Sequence, residues 1–364
     1  MNILEEIQNC PVEWKELGEV VDTVTSPVKL TKKEYQVTGR IPIVDQGEQF
    51  VAGYTDNEKY LEKDEYIIFG DHSEHIKYVD FAFVQGADGL KILKPKSGIK
   101  AKYIYYCFCN FYKKEGSYKR HWSKARTAQI PILQSEEIQE KIVQILDKMT
   151  GYVTELTSEL TSRKKQYSFY RDKLLSFEDE VYQVEWKVLK DVATLKNGKD
   201  WKNLPIGEIP VYGSGGEMGE FVADCSYDKP TVLIPRKGSI SNLFYLEKAF
   251  WNVDTIYYTE IDGSQVIPKY FYYYLTTVNL EEMSTNPTRP SLTQAILDKI
   301  KIPVPSLEIQ SRIVQVLDNF DMVCNDLNIG LPKEIELRQK QYEYFREKLL
   351  TFTAEGVYTE SRVE

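Results

Sequence analysis

At 364 residues, with 42% hydrophobic and 28% charged side chains, the chain is globular and long enough for two or three domains. No apolar run approaches the ~18 residues of a membrane span, and the N-terminal MNILEEIQNC carries no basic, apolar secretion pattern, so a cytoplasmic protein is expected. The net charge of −9 argues against a uniformly basic nucleic-acid binder, and the five cysteines (Cys10, Cys107, Cys109, Cys225, Cys324) form no CxxC spacing, which points to reduced thiols and no structural zinc.

Residues 1–134 read as a mixed, strand-rich block. Short β-rich runs such as EYIIF (65–69) and FAFV (81–84) alternate with Gly, Asp and Pro turns, and the block closes with the aromatic, helix-like YIYYCF and an Ile-Pro exit. Between them lies a local exception to the acidic composition. Lys102, Lys113, Lys114, Lys119, Arg120, Lys124 and Arg126 face the single acid Glu115 and are interleaved with Tyr118, His121 and Trp122. A solvated loop would account for it, but clustering of the cations makes phosphate binding the better reading.

Residues 135–177 read as helix. Ile138, Ile142, Ile145 and Met149 fall on one face; after a break expected at Gly151, a 3,4 pattern runs through Val153, Leu156, Leu160, Arg163, Tyr167, Tyr170, Leu174 and Phe177. A second strand-rich block, 178–305, contains TVLI (231–234) and TIYY (255–258) and ends in YFYYYL and another Ile-Pro exit. A second helical block, 306–352, carries Ile309, Ile313, Val316 and Phe320, then Leu331, Ile335, Arg338, Tyr342, Phe345, Leu349 and Phe352, with Pro332 suited to a helix start. Residues 353–364 form a C-terminal tail.

The two helical blocks are copies. EIQEKIVQILDKM (137–149) returns as EIQSRIVQVLDNF (308–320) with 8 of 13 positions identical, and RKKQYSFYRDKLLSF (163–177) as RQKQYEYFREKLLTF (338–352) with 9 of 15, against a background of roughly one in fifteen. Weaker echoes pair VEWKELGEVV with VEWKVLKDVA, GRIPIV with GEIPVY and KYIYY with KYFYY, so the chain is a tandem repeat. At the exits IPILQSEEIQ and IPVPSLEIQ the copies slip by one residue, which leaves the orientation of the first short helix open. The seam of Leu156, Leu160, Tyr167, Tyr170 and Leu174 with Ile335, Tyr342, Phe345 and Leu349 predicts that the copies pair with each other, packing on the flanking domain being the alternative. The fold class expected is α+β, two strand-rich domains separated by two long helical regions that pair as an antiparallel coiled coil about a pseudo-twofold axis. A helix over 151–176 would span roughly 39 Å, close to the ~34 Å turn of B-DNA.

The duplicated EIQ...IVQ.LD and R.KQY...R.KLL.F blocks, with VLIPRKGSI, FWNVDTIYY and IIFGDHSEHIKYVDFAFVQGADGLKIL, resemble the specificity (S) subunits of type I restriction-modification systems over roughly residues 12–352. The resemblance implies two target-recognition domains, each reading one half of a bipartite, asymmetric site on double-stranded DNA. It places at DNA the loops around Gly70, Asp71, His72, Ser73 and His75, around Pro235, Arg236, Lys237 and Gly238, and before the exits: Lys113, Lys119, Arg120, His121, Lys124 and Arg126, with Arg289 in the matching loop. For Arg236 a surface salt bridge remains open, and His72 with His75 fits a hydrogen-bonded turn better than a metal site. The resemblance further implies two methyltransferase (M) subunits carrying S-adenosylmethionine and two restriction (R) subunits using ATP and Mg, with no cofactor on this chain. The residues agree with a non-catalytic role: NPTRP at 286 lacks the aromatic of an adenine-methyltransferase pocket, and GSGGEMGEF from Gly213 lacks the GK[ST] of a P-loop. An enzyme subunit with an unrecognised site, or a coiled-coil adaptor that binds only protein, are the other readings.

Overall fold

A computed structural model of the protein describes residues 3–177, 183–284 and 290–351. The chain divides into two compact units, Met1–Glu155 with Ile335–Glu364, and Leu156–Glu334. Each unit holds one strand-rich domain and helices from both copies of the repeat, so the boundaries expected at 134/135 and 305/306 lie inside the units.

The domains share a topology. In unit 1 one sheet runs Val21–Val24, Leu90–Pro95, Tyr66–Gly70, Ile76–Val79, all antiparallel, and in unit 2 its counterpart runs Ala193–Asn197, Ile256–Ile261, Thr231–Pro235, Phe244–Leu246. A second, mixed sheet has the order Lys29–Leu30, Val84–Gly86, Ile41–Val44, Gly53–Thr55 in unit 1. Unit 2 keeps the matching three strands Trp251–Asn252, Ile206–Gly213 and Gly216–Val222. The continuous apolar runs YIIFG and TVLIP are explained by burial on both faces: Ile67 and Phe69 enter the core beneath the aromatic helix, while Tyr66 and Ile68 enter the core toward the second sheet. Val232 and Ile234 face one core and Leu233 the other in the same way. EYIIF, TVLI and TIYY are strands as expected; in FAFV the strand begins only at Val84.

A lock written twice ties each domain to its helix. The entering and leaving chain pair antiparallel as a ribbon, with Trp14 opposite Pro131 in unit 1 and Trp186 opposite Pro303 in unit 2. On the helices Ala101–Phe111 and Pro268–Leu275, buried Tyr103 and Tyr270 donate to the carbonyls of Pro131 and Pro303 at 3.0 and 2.8 Å. Tyr106 and Tyr273 donate to Asp147 and Asp318, each at 2.6 Å, and Lys102 and Lys269 pair with the same carboxylates. Burial first, then the aspartate, pushes both phenols far above the tyrosine range, so they stay neutral donors. Gln139 and Gln310, both buried, complete the lock. Each side-chain oxygen accepts the N–H that opens the aromatic helix (Lys100 at 3.0 Å, Ile267 at 2.8 Å), and each amide donates to the exit (Leu133 at 2.8 Å, Pro305 at 2.9 Å). The one-residue slip is therefore absorbed between exit and helix, and the two short helical segments dock alike.

The helical copies differ. The first is one helix of 41 residues, Glu136–Ser176, which passes through Gly151 with no break. Gly151 sits exposed, with nothing within 4 Å of a Cβ built there, so a single glycine in a long helix carries only its propensity cost of about 1 kcal/mol. The second copy is two helices, Leu307–Asn325 and Leu331–Leu350, joined by the turn at Asp326–Gly330. Its four-residue excess, the offset rising from 171 to 175, falls at this turn and so does not lengthen a helix.

Several seam residues pack on the neighbouring domain as well as across the repeat. In unit 2 Tyr167 and Leu174 join the core of the second strand-rich domain, and Tyr170 stacks on Phe320 with ring centres 5.7 Å apart. In unit 1 Tyr342, Phe345 and Leu349 join the core of the first domain, and Arg338 lies 5.7 Å over Tyr152. Leu156, Leu160 and Ile335 are half-buried. Phe352 and the tail 353–364 lie outside the described residues.

Candidate nucleic-acid interface

In unit 1 the loops after three strands converge on one residue, Gln46. Its carbonyl accepts from Ser73 Oγ and from His75 Nδ1 (3.1 Å), its side-chain oxygen accepts from His72 N (3.3 Å), and its amide donates to Asp88 O (3.3 Å). Lys77, buried on an otherwise apolar strand, donates to the carbonyls of Asp45 (2.9 Å) and Gln49 (2.5 Å) and so pins the same loop from below. Burial pulls the Lys77 pKa down. A Cβ on Gly70 would overlap Ser73 Oγ, which is why glycine ends that strand.

The basic segment is held by two carboxylates. Glu74, 2% exposed and in the left-handed region at φ 56°, accepts from Tyr112 OH at 2.6 Å and from the N–H groups of Glu115 and Gly116 at 2.8–3.0 Å. Burial alone would raise its pKa, but these donors and nearby His121 hold it below the carboxylate range. Asp71, 5% exposed, accepts from His121 N and Trp122 N at 2.9 and 2.7 Å. Above this anchor the cations are exposed. Lys119 and Lys124 are paired with Glu115, whose carboxyl their hydrogen bonds hold down to about 2. Lys113, Lys114, Arg120 and Arg126 have no acidic partner among the described residues.

This corrects part of the expected contact set. His121 is 1% exposed, its Nε2 against Ser117 O (2.7 Å) and its Nδ1 3.4 Å from Glu74, so its ring shapes the loop and offers no surface to DNA. Ser73 and His75, both half-buried, bond inward to Gln46. His72 is half-buried, stacked on the exposed Tyr118 at 5.3 Å with Nδ1 3.2 Å from Lys119 O, and remains at the surface with Lys113, Lys119, Arg120, Lys124 and Arg126. Among the described residues no group of three His, Cys, Asp or Glu could hold a metal ion.

Unit 2 builds the same edge from other residues. Ser214 occupies the position of Gln46 when GEIPVY is set on GRIPIV, and its N–H donates to Thr255 Oγ1 at 3.3 Å. Gly238, at φ 80°, brings the Arg236–Gly238 turn beside it, a Cβ there lying 3.4 Å from Ser214 Oγ. Arg236 and Asp71 each follow the doubly buried strand of their domain. Arg236 is half-buried, donates to Asn197 Oδ1 at 3.1 Å and lies 5.2 Å over the ring of Tyr257; the exposed Lys237 pairs with Asp254 at 3.7 Å. The turn also bridges to Ser291. Arg289 lies outside the described residues.

Comparison with known proteins agrees with this duplicated architecture. A family model described as the type I restriction modification DNA specificity domain matches residues 183–337. The specificity subunit of the type I restriction enzyme EcoR124I/EcoR124II of Escherichia coli is 35% identical over 401 aligned positions, covering 97% of both chains. The chain belongs to the type I restriction-modification specificity-subunit family. A putative specificity subunit of this family from Haemophilus influenzae is 30% identical over 95% of this chain and 97% of its own. The crystal structure of the S subunit from M. genitalium superposes with a TM-score of 0.67 at 19% identity, over 95% of this chain and 97% of that one. A chain from a structural study of assembly and conformational transition of the type I R-M system gives 0.56 at 16%, over 93% and 97%. Both are similar to this chain in fold.

Gln46, Glu74, Lys77 and Asn197, which hold these loops in place, are the residues that sequence reasoning missed. A lone lysine in the apolar strand IKYV, and a polar residue two places after GRIPIV and after GEIPVY, were the available signals.

Proposed function

We propose that this chain is the DNA-recognition subunit of a type I restriction-modification complex, each strand-rich domain reading one half of a bipartite site. The observation that carries this is the pair of edges just described: one scaffold, locked identically to its helices, presents the same loops twice with different side chains. A protein that needed two copies of one activity would keep the edge residues and let the scaffold drift. Here the scaffold is kept and the edge differs, which is what two different half-sites require.

The cations left unpaired at 113–126, with Arg236 and Lys237, supply phosphate contacts and a guanidinium that can reach bases. The cross-repeat contacts run in opposite order along the two helices: Tyr152 meets Arg338 while Thr150 lies beside Tyr342, which supports antiparallel pairing of the copies. On this reading the helices set the gap between half-sites and dock two methyltransferase subunits, which bring S-adenosylmethionine and methylate adenine. Two restriction subunits add ATP- and Mg-dependent cleavage, and this chain supplies recognition without catalysis.

Sequencing the methylated adenines in cells that express the chain with its methyltransferase subunit tests it. A two-part motif is expected, and exchanging residues 178–305 for another family member's block should replace one half only. If both halves changed, the assignment of one domain to one half-site would be wrong. A DNA shift assay of the assembled complex, and incubation of the chain alone with labelled S-adenosylmethionine and DNA, separate it from the adaptor and enzyme readings.

A further inference from the structure

Arg236 differs from the other described cations at either edge in how it is held. Its N–H donates to Thr255 O (2.9 Å) and its carbonyl accepts from Leu292 N (2.9 Å), so the backbone is fixed on both sides. Its guanidinium rests on a neutral acceptor, Asn197 Oδ1, and on the face of Tyr257, itself 3% exposed. The sheet register explains this seat: Asn197 and Ile234 are both paired with Tyr257, one on each side, so Asn197 and the end of the strand that runs into Arg236 lie on either side of the Tyr257 strand. Among the described residues no carboxylate pairs with it, whereas the adjacent Lys237 has Asp254.

A contact to phosphate needs only a positive charge at roughly the right place, and mobile surface lysines provide it. A restrained, planar guanidinium with one N–H satisfied and four remaining is suited to a task in which orientation matters, the bidentate reading of two acceptors on a guanine edge. The corresponding position of unit 1 is the buried Asp71, which holds its own loop and presents no donor.

We infer that Arg236 reads a guanine in the half-site of the second domain, and that Asn197 is the positioning residue that aims it. This inference rests on the DNA-recognition function proposed above and deepens it. The half-site read by the first domain is then specified without an arginine at this place.

The test uses the full chain in complex with its methyltransferase subunit. The wild-type complex first defines the motif by methylome sequencing; absence of a two-part motif would strike the proposed function itself and not this assignment. Competition is then measured between the wild-type duplex and duplexes altered at each guanine of the second half-site, for Arg236→Lys and Asn197→Ala. Arg236→Lys keeps the charge and loses the fork, so a base-reading role predicts a loss of roughly 5- to 150-fold in discrimination at one guanine, with the salt slope unchanged. Asn197→Ala should relax the same base pair, and Asn197→Asp, which keeps the acceptor, should retain it. Melting temperatures confirm that each variant is folded, and Arg236→Lys decides alone if Asn197→Ala is not. The inference is overturned if Arg236→Lys keeps wild-type discrimination at every position, as a phosphate contact would, or if the relaxed base pair holds no guanine or lies in the other half-site.

Discussion

The first strand-rich domain buries two acidic residues, Asp71 and Glu74, against the loop that carries its cations; among the described residues the second has no such internal anchor at the matching place and sets an arginine there. Glu74 and Asp71 bind backbone N–H groups of 115–122 and fix a long basic segment, while Arg236 is held by an amide and a ring and faces outward. Behind both edges the lock joins the same residue types, Tyr, Gln, Asp and Lys, in the same pairings, with one further bond from Gln310 to Gln265 O in the second domain. The difference teaches that the two copies share the contacts holding each domain to its helix and differ at the strand ends.

The lock offers the largest effect. Changing Gln310 to Leu leaves the Ile267 N–H and the carbonyls of Pro305 and Gln265 without their partner in a buried site, and should cost about 3 kcal/mol of unfolding free energy. Gln139→Leu should cost a similar amount in the first domain. Denaturant unfolding of both variants checks the symmetry; a large loss in only one would mean that the two locks are equal in geometry and unequal in strength.

Among the described residues Glu74 has no buried carboxylate counterpart in the second domain, and its replacement sharpens the contrast. Glu74→Gln should destabilise unit 1 by about 2 kcal/mol near neutral pH, since charge-assisted hydrogen bonds are replaced by weaker ones. Its folded pKa is lowered, so the stabilisation is complete above the unfolded value of 4.5 and is lost as pH falls through the folded one. Melting curves of wild type and variant should therefore converge on acidification below about pH 4.5; a constant difference down to pH 3 would show that the charge of Glu74 is not what holds the loop.

The surface cations come next. Lys124→Ala with Arg126→Ala should weaken DNA binding by the assembled complex and flatten its salt dependence by ~0.9 per lost phosphate contact. Arg126 should account for most of the change, because Lys124 is already neutralised by Glu115. An unchanged slope would remove this patch from the interface.

The smallest expected change is one of spacing. Four residues inserted after Glu159 add about one turn, roughly 6 Å, to the unbroken helix of the first copy. Both half-sites should persist with the gap lengthened by one or two base pairs at ~3.4 Å each, read by methylome sequencing. An active complex with an unchanged gap would show that this helix does not set it.

The duplication, the α+β class, the strand-rich blocks and the helical blocks were legible because repeats and hydrophobic periodicity are local properties of the chain. So was the basic segment at 113–126. The lock was half legible: KYIYY with KYFYY, and EIQ...LD, were visibly repeated, but that Tyr106 would find Asp147 across 41 positions depends on how a helix docks, which no spacing encodes. The break expected at Gly151 is absent for a related reason. A glycine lowers helix propensity by an amount that packing on either side readily outweighs, whereas the four extra residues of the second copy close a turn at Gly330 that propensity alone did not single out.

What the amino-acid sequence determined by itself is thus the architecture and the inventory of charges. Tertiary structure alone decided which of those charges face solvent. His121 and Arg236 look alike as nitrogen-rich side chains in polar loops, yet one is enclosed by Glu74 and Ser117 and the other rests on Asn197 and Tyr257 at the edge. Burial of a polar side chain depends on partners brought from distant strands, and those partners are assembled only when the sheets and the helix close around them.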